Sequence, residues 1–317
     1  MLTHIPNTCY LKYFRLIRLP NLLIIALTQL VVRYGIIAIL EADITLSRLG
    51  LSFIILATVL IAAGGYVIND IFDISADKIN RPKKRLVGRE IKEAQAKLIY
   101  FLLTFSGLGL GFILSNMMGA PVYFLYFLVT AVLLYFYARY LQRFALIGNI
   151  VVSLLVGLSI LIIGIFELLP AVDRANELAQ LEVFVLVQQL SFFAFLMTLV
   201  RELVKDIQDI QGDHVARYKT LPILLGGART AKITALLILL LITLIAWYVF
   251  TYLHDFKGLS ALILFGLAVP LSYVAIKLRE ATTTKQYGIL ATYLKLIMLI
   301  GICIIPVITY TIHYVSP

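Results

Sequence analysis

The sequence predicts an all-α integral membrane protein with nine transmembrane helices. Three observations carry that prediction. Of the 317 residues, 62% are hydrophobic and only 14% charged, and the mean hydropathy is +0.98, whereas a soluble domain is about half apolar and a quarter charged. Nine apolar runs are long enough to cross a bilayer, which takes about 20 residues. The Lys and Arg residues gather in alternate connections between those runs.

The runs cover residues 20–40, 47–69, 96–115, 121–141, 146–168, 183–204, 230–253, 259–278 and 288–310. Each is expected to be a helix, because a lone span in lipid must satisfy its own backbone hydrogen bonds. Ahead of the first run, residues 10–18 are mixed and basic with no small-residue cleavage site, so no cleavable signal peptide is expected. With the N-terminus in the cytoplasm, the inner connections hold Lys12, Arg15 and Arg18, then Lys78, Arg81, Lys83, Lys84, Arg85, Arg89, Lys92 and Lys97. They also hold Arg139 and Arg143, then Arg201, Lys205, Arg217, Lys219, Arg229 and Lys232, and finally Lys277, Arg279 and Lys285, in all 22 of the 27 basic residues. That asymmetry predicts N-terminus inside and C-terminus outside. Arg33, Arg48, Arg174 and Lys257 fall on or near the other side, Arg33 being expected to snorkel to the interface, and Lys295 lies within the last run.

Two inner connections are long, 77–95 and 206–229, while the outer segment 170–182, with Asp173, Glu177 and Glu182, reads as a solvated loop. The net charge of +10 reports topology. The basic residues sit in short loops without a nucleic-acid-binding module, so no nucleic-acid partner is expected, and no obligate protein partner is inferred. Cys9 and Cys303 lie far apart and suggest neither a disulfide framework nor a metal site. His4, His214, His254 and His313 are scattered, and Trp247 is expected to pack within the bundle. One domain, 1–317, is expected, with pseudo-repeat halves of about 15–142 and 143–278 and an extra helix over 287–312.

The repeat is marked by two acid clusters. NDIFDISAD (69–77) supplies Asp70, Asp73 and Asp77, and DIQDIQGD (206–213) supplies Asp206, Asp209 and Asp213, each 136 residues after its counterpart. On a continuous helix, the i, i+3, i+7 spacing brings three side chains within about 60° of one another. Asn69 adds an amide four residues before Asp73, and Gly212 is expected to end its helix just before Asp213. Like charges on one face repel, and a helix C-terminus disfavours negative charge. Two such penalties, twice repeated, imply a cation. Oxygen ligands with no nearby Cys or His point to a hard ion, Mg²⁺ by preference, which keeps positions for water and phosphate oxygens. Lys78, Arg81, Lys84, Arg85, Lys205 and Lys219 flank the clusters and suit the rest of a phosphate. The expected site is a diphosphate held through Mg²⁺ between two helix ends at the cytoplasmic face. An ion-coupled transporter is the rival class, but its sites lie near the bilayer midplane on broken helices. A membrane scaffold gives no reason for twin triads.

NDIFDISADKINRP and DIQDIQGD resemble the two aspartate-rich motifs of the UbiA-type intramembrane prenyltransferases. RLPN (18–21), YARYLQRFALIGN (137–149) and TLPILLG (220–226) resemble further segments of that family, so the likeness runs over nearly the whole chain. It implies nine helices around a central cavity with two long cytoplasmic cap loops. It also implies Mg²⁺-dependent transfer of a prenyl group from a prenyl diphosphate to a lipophilic acceptor among membrane lipids. It further implies that Asn69, Asp73 and Asp77, with Asp70 beside them, and Asp209 and Asp213, with Asp206 leading, bind metal and diphosphate. Asn21 matches a polar residue of the cavity wall and Tyr137 one near the diphosphate. The family often has Lys where Gln142 stands. DKINRP and KDIQDIQGD are most similar to the branch that prenylates geranylgeranylglyceryl phosphate; enzymes of aromatic quinone precursors come second and haem-directed ones third.

Overall fold

The computed structural model describes residues 8–315, with side chains from residue 10 onward. His4 and the Cys9 side chain lie outside the described residues. Nine helices among these residues are long and apolar enough to cross a membrane. The chain forms two compact units, Met1–Leu27 with Leu46–Gln142 and Thr28–Thr45 with Arg143–Pro317.

The first unit begins with α1 (Thr8–Leu16) and most of α2 (Leu19–Val32). Between them Arg18 adopts a φ of 53°, a left-handed conformation uncommon outside glycine. Then come α3 (Arg48–Phe72), α4 (Ile74–Asn80), α5 (Glu93–Met117) and α6 (Phe124–Arg139). Ser47 starts α3 by accepting the N–H of Gly50 at 3.2 Å, an N-cap bond that satisfies one of the free donors of a helix start. α3 packs on α5 and α6, and small residues let the backbones approach. A Cβ on Gly107 would stand 3.0 Å from the Ala57 carbonyl oxygen, and one on Gly111 would stand 2.5 Å from the Phe127 ring. The connection after α4 is less loop-like than its polar composition predicts. Leu86, Val87 and Ile91 turn into a core with Leu16, Val67, Ile68, Ile71 and Ala138. Arg89 holds that turn by donating to the carbonyls of Pro82 and Lys83.

The second unit takes the last turn of α2, a π-helical segment Arg33–Ile37, and everything after Gln142. Its helices are α7 (Ile147–Glu167), α8 (Glu177–Val215), α9 (Leu221–Leu225), α10 (Gly227–Tyr252), α11 (Lys257–Ile263), α12 (Val269–Glu280) and α13 (Thr284–Tyr314). α8 is central to this unit, packing against α7, α10 and α13. Val200, Val204 and Ile207 of α8 meet Ile238, Leu271, Leu290 and Leu294 in one continuous core.

Several expectations are corrected here. Gly212 does not stop α8, which runs on to Val215; its amide bonding continues through the Ala216 N–H to the Gly212 carbonyl at 2.8 Å. The second long connection is therefore mostly helix. The outer segment is likewise shorter, because Glu177 and Glu182 lie on α8. Arg33 does not snorkel outward. Its Nε donates to Oε1 of Glu167 at 2.8 Å, and the Glu167 side chain is wholly buried. A lone carboxylate in an apolar interior is costly, so it takes the nearest cation. Trp247 is 56% exposed and meets Tyr252 edge-on, so its face looks away from the bundle.

Candidate active site

In the first unit, the acid motif straddles a break rather than lying on one straight helix. Asp73 separates α3 from α4 with φ −90° and ψ 8°. Backbone bonding nevertheless crosses the break, from the Asp73 N–H to the Asn69 carbonyl and from the Asp77 N–H to the Asp73 carbonyl. The three carboxylates consequently find different partners. Asp70 accepts from Arg18 Nη2 at 2.8 Å, and the same guanidinium lies over the Tyr66 ring. Asp73 accepts from two amides, Asn69 Nδ2 at 2.6 Å on Oδ2 and Gln142 Nε2 at 2.8 Å on Oδ1. Asp77, half-buried, stands on α4.

This donor set suits a hard cation. Two neutral amides orient the Asp73 carboxylate without cancelling its charge. The Asn69 side-chain oxygen is buried beside it and has no hydrogen-bond donor, so a carbonyl oxygen stands open next to an oriented carboxylate. Among the described residues, no three His, Cys, Asp or Glu side chains gather into a complete metal cage. Mg²⁺ takes about six oxygens, more than the side chains of Asn69 and Asp73 supply.

The remaining predicted contacts of this unit are Asn21, Arg81, Arg85 and Tyr137. The Asn21 N–H donates to the Arg18 carbonyl at 2.8 Å. Arg81 caps α4, its N–H on the Asp77 carbonyl. Arg85 buries its Nε with no acceptor, leaving a donor for an incoming anion. Tyr137 packs against the same core as Ile71 and Ala138.

In the second unit, Asp206, Asp209 and Asp213 share the unbroken α8. Asn149 of α7 donates its Nδ2 to Asp206 at 2.9 Å. Asp213 is buried and accepts weakly from the Thr220 hydroxyl at 3.4 Å. The Tyr218 N–H binds the Asp213 carbonyl, and the Lys219 N–H binds the Arg143 carbonyl. The Arg143 guanidinium covers the Tyr218 ring, so residues 216–220 are fixed to the start of this unit. Lys219 leaves its side chain exposed. Lys205 binds Glu202 at 2.7 Å, and Arg201 binds the same carboxylate at 2.8 Å.

Two of these contacts escape sequence reasoning. Gln142 reads as the loss of a basic contact, yet it holds Asp73. Arg18 reads as a topology charge, yet it pairs with Asp70. Asn149, within the fifth apolar run, reads equally as a substrate contact or as a bond to a neighbouring helix, and it makes the second, to α8. A polar residue in or beside an apolar run was the available signal in each case, since such groups rarely stay without a partner.

The arrangement agrees with what related proteins show. Residues 30–294 match the UbiA prenyltransferase family. The digeranylgeranylglyceryl phosphate synthase of Sulfurisphaera tokodaii is 32% identical over 258 residues, covering 80% of this chain and 82% of its own. That of Saccharolobus solfataricus is 31% identical over 291 residues, covering 92% and 94%. A solved digeranylgeranylglyceryl phosphate synthase shares the fold at a TM-score of 0.62 and 23% identity, covering 96% of this chain and 99% of its own. A UbiA homologue from Archaeoglobus fulgidus, bound to DMAPP and Mg²⁺, does so at 0.59 and 18%, covering 91% and 98%. The class is thus an integral, multi-pass membrane enzyme that transfers prenyl groups. The chain belongs to the UbiA prenyltransferase family.

Proposed function

We propose that the protein transfers a prenyl group from a prenyl diphosphate to the free hydroxyl of a geranylgeranylglyceryl-phosphate-type lipid, releasing diphosphate. The observation that carries this reading is similarity to archaeal synthases of that product over as much as 92% of the chain. Both acid motifs lie inside the matched family segment. Asn69, Asp73 and Asp77 of the first motif and Asp209 and Asp213 of the second supply oxygens for Mg²⁺ and the diphosphate it carries. Asp70 and Asp206 lie beside them, engaged by Arg18 and Asn149. Arg81, Arg85, Lys205 and Lys219 supply positive charge to the phosphates, with Asn21 and Tyr137 lining the substrate.

In the reaction, the bond between the prenyl C1 and the diphosphate oxygen breaks, and its electron pair leaves with the diphosphate. Bound Mg²⁺ supplies Lewis-acid neutralisation of that leaving group. The two amides on Asp73 hold its carboxylate in place for the metal. The acceptor oxygen forms the new ether bond to C1, and its proton passes to an aspartate of the motifs. Apolar walls exclude water, which would otherwise capture the allylic cation. The distribution of basic residues supports chemistry at the cytoplasmic face, with the N-terminus inside and the C-terminus outside.

The test uses purified protein in lipid nanodiscs with Mg²⁺ and geranylgeranyl diphosphate. It offers the glyceryl phosphate lipid in one arm and aromatic quinone precursors in another. The expected result is an ether-linked lipid of the right mass with stoichiometric diphosphate. Transfer to the aromatic acceptor alone would overturn the assignment.

A further inference from the structure

α8 carries a fourth acid on the stripe of the second motif. At about 100° per residue, Glu202, Asp206, Asp209 and Asp213 fall within about 60° of one another. Glu202 stands one turn before Asp206, at the end of the apolar run, and is buried. Lys205 lies three residues after Glu202 and four before Asp209. Residues three and four apart are neighbours on a helix surface. The Lys205 ammonium therefore has one carboxylate a turn behind it and another a turn ahead.

It takes the one behind. Lys205 Nζ donates to Glu202 Oε2 at 2.7 Å, and Arg201 Nη1 donates to Oε1 of the same carboxylate at 2.8 Å. Two causes set that choice. The Glu202 side chain is only 12% exposed, and a buried carboxylate loses more than a wetter one when its cation leaves. An acid on the N-terminal side of its base also suits the helix dipole better than the reverse order, which Lys205 and Asp209 would make. Arg201 takes Oε1 and leaves Oε2 for the lysine.

The choice decides what the motif can offer. A lysine settled on Asp209 would cancel the charge of a metal ligand and compete with Mg²⁺ for its oxygens. A lysine held one turn back spends one of its three N–H donors on Glu202 and keeps the others for phosphate oxygens. We propose that Glu202 is a positioning residue for the second motif, holding Lys205 off Asp209 so that the carboxylate serves the metal and the ammonium serves the diphosphate. The role rests on the prenyl-transfer reading above.

The experiment follows binding of Mn²⁺, a paramagnetic stand-in for Mg²⁺, to full-length protein in nanodiscs with a saturating thiolo-diphosphate prenyl analogue. Electron paramagnetic resonance separates free from bound ion without turnover. Glu202→Gln is expected to raise the Mn²⁺ concentration for half-occupancy about tenfold, the scale on which losing a partner beyond the metal's own ligands is felt. A rise of less than about threefold overturns the proposal. Lys205→Met removes the ammonium that would settle on Asp209, so Lys205→Met and the double variant Glu202→Gln/Lys205→Met should agree within about threefold. A larger gap shows that Glu202 acts other than through Lys205, as a merely structural residue would, and also overturns the proposal. If Glu202→Gln does not elute as a folded monodisperse protein, Glu202→Asp, whose carboxylate stops one methylene short, is read with and without Lys205→Met on the same criteria. Wild-type protein that takes up no Mn²⁺ with the analogue sinks the prenyl-diphosphate reading and this role together. Wild-type uptake with an unmoved Glu202→Gln sinks the role alone.

Discussion

The two acid motifs have the same spacing and different architectures. In the first, the helix breaks at Asp73, and the acids turn to separate partners, Arg18 for Asp70 and two amides for Asp73. In the second, one uninterrupted helix carries all three acids, and the first of them is held from a neighbouring helix by Asn149. Both motifs have an asparagine on an aspartate. In the first it reaches four residues along its own chain to the middle acid; in the second it crosses between helices to the leading acid. A repeated spacing therefore preserves the supply of carboxylates but not their partners. Each unit also has an arginine–carboxylate pair at 2.8 Å. Arg18–Asp70 keeps 30% and 15% side-chain exposure, whereas Arg33–Glu167 keeps 11% and 0%.

The widest test of this comparison removes one central acid from each motif. Asp73→Ala and Asp209→Ala are each expected to lower Mg²⁺-dependent turnover about a thousandfold, a barrier increase of about 4 kcal/mol, with normal elution from a sizing column. Near-normal activity in either variant would break the equivalence of the motifs. Next come the ion pairs. Glu167→Ala strands a buried guanidinium and should cost about 3 kcal/mol or more, read as a large fall in melting temperature. Asp70→Ala, with a wetter partner, should cost about 1–2 kcal/mol. Equal losses would mean that burial does not separate the pairs.

Gln142→Ala removes one of two amides from Asp73, a loss of about 1 kcal/mol. It should raise the Mg²⁺ concentration for half-maximal activity about fivefold while leaving the melting temperature nearly unchanged; an unaltered Mg²⁺ titration would show that Gln142 does not position the carboxylate. At Gly226, φ is 84° and ψ 149°, and a Cβ would meet open space. Gly226→Ala should cost only the backbone strain, about 1–3 kcal/mol. Gly111→Ala in the first unit drives a Cβ into the buried Phe127 ring, and it should melt earlier than Gly226→Ala.

Composition made the membrane class and its nine spans legible, because nothing but lipid accommodates so many long apolar runs. The acid motifs were legible for the same reason: carboxylates beside such runs need a counter-ion. What stayed hidden was direction. The break at Asp73 follows from no proline or glycine, and the i, i+3, i+7 spacing says nothing of which partner each acid takes. Gly212 misled in the opposite sense, since packing of α8 on three neighbours outweighs the weak helix preference of one glycine. Arg33 and Glu167 lie 134 positions apart, and no local pattern links them. The segment after α4 looked like a loop because Lys83, Lys84 and Arg89 dominate its composition, while Leu86, Val87 and Ile91 anchor it.

The length of α8 has a consequence for supply. Its 39 residues span about 58 Å at 1.5 Å per residue, while the hydrocarbon layer is about 30 Å thick. Its apolar stretch ends near Val204, before the turns that carry Asp206, Asp209 and Asp213. On the prenyl-transfer reading proposed above, a hydrated ion would meet those carboxylates without entering the apolar stretch, and an isoprenoid tail would follow the same helix without leaving it. One stiff helix would thereby join two solvents.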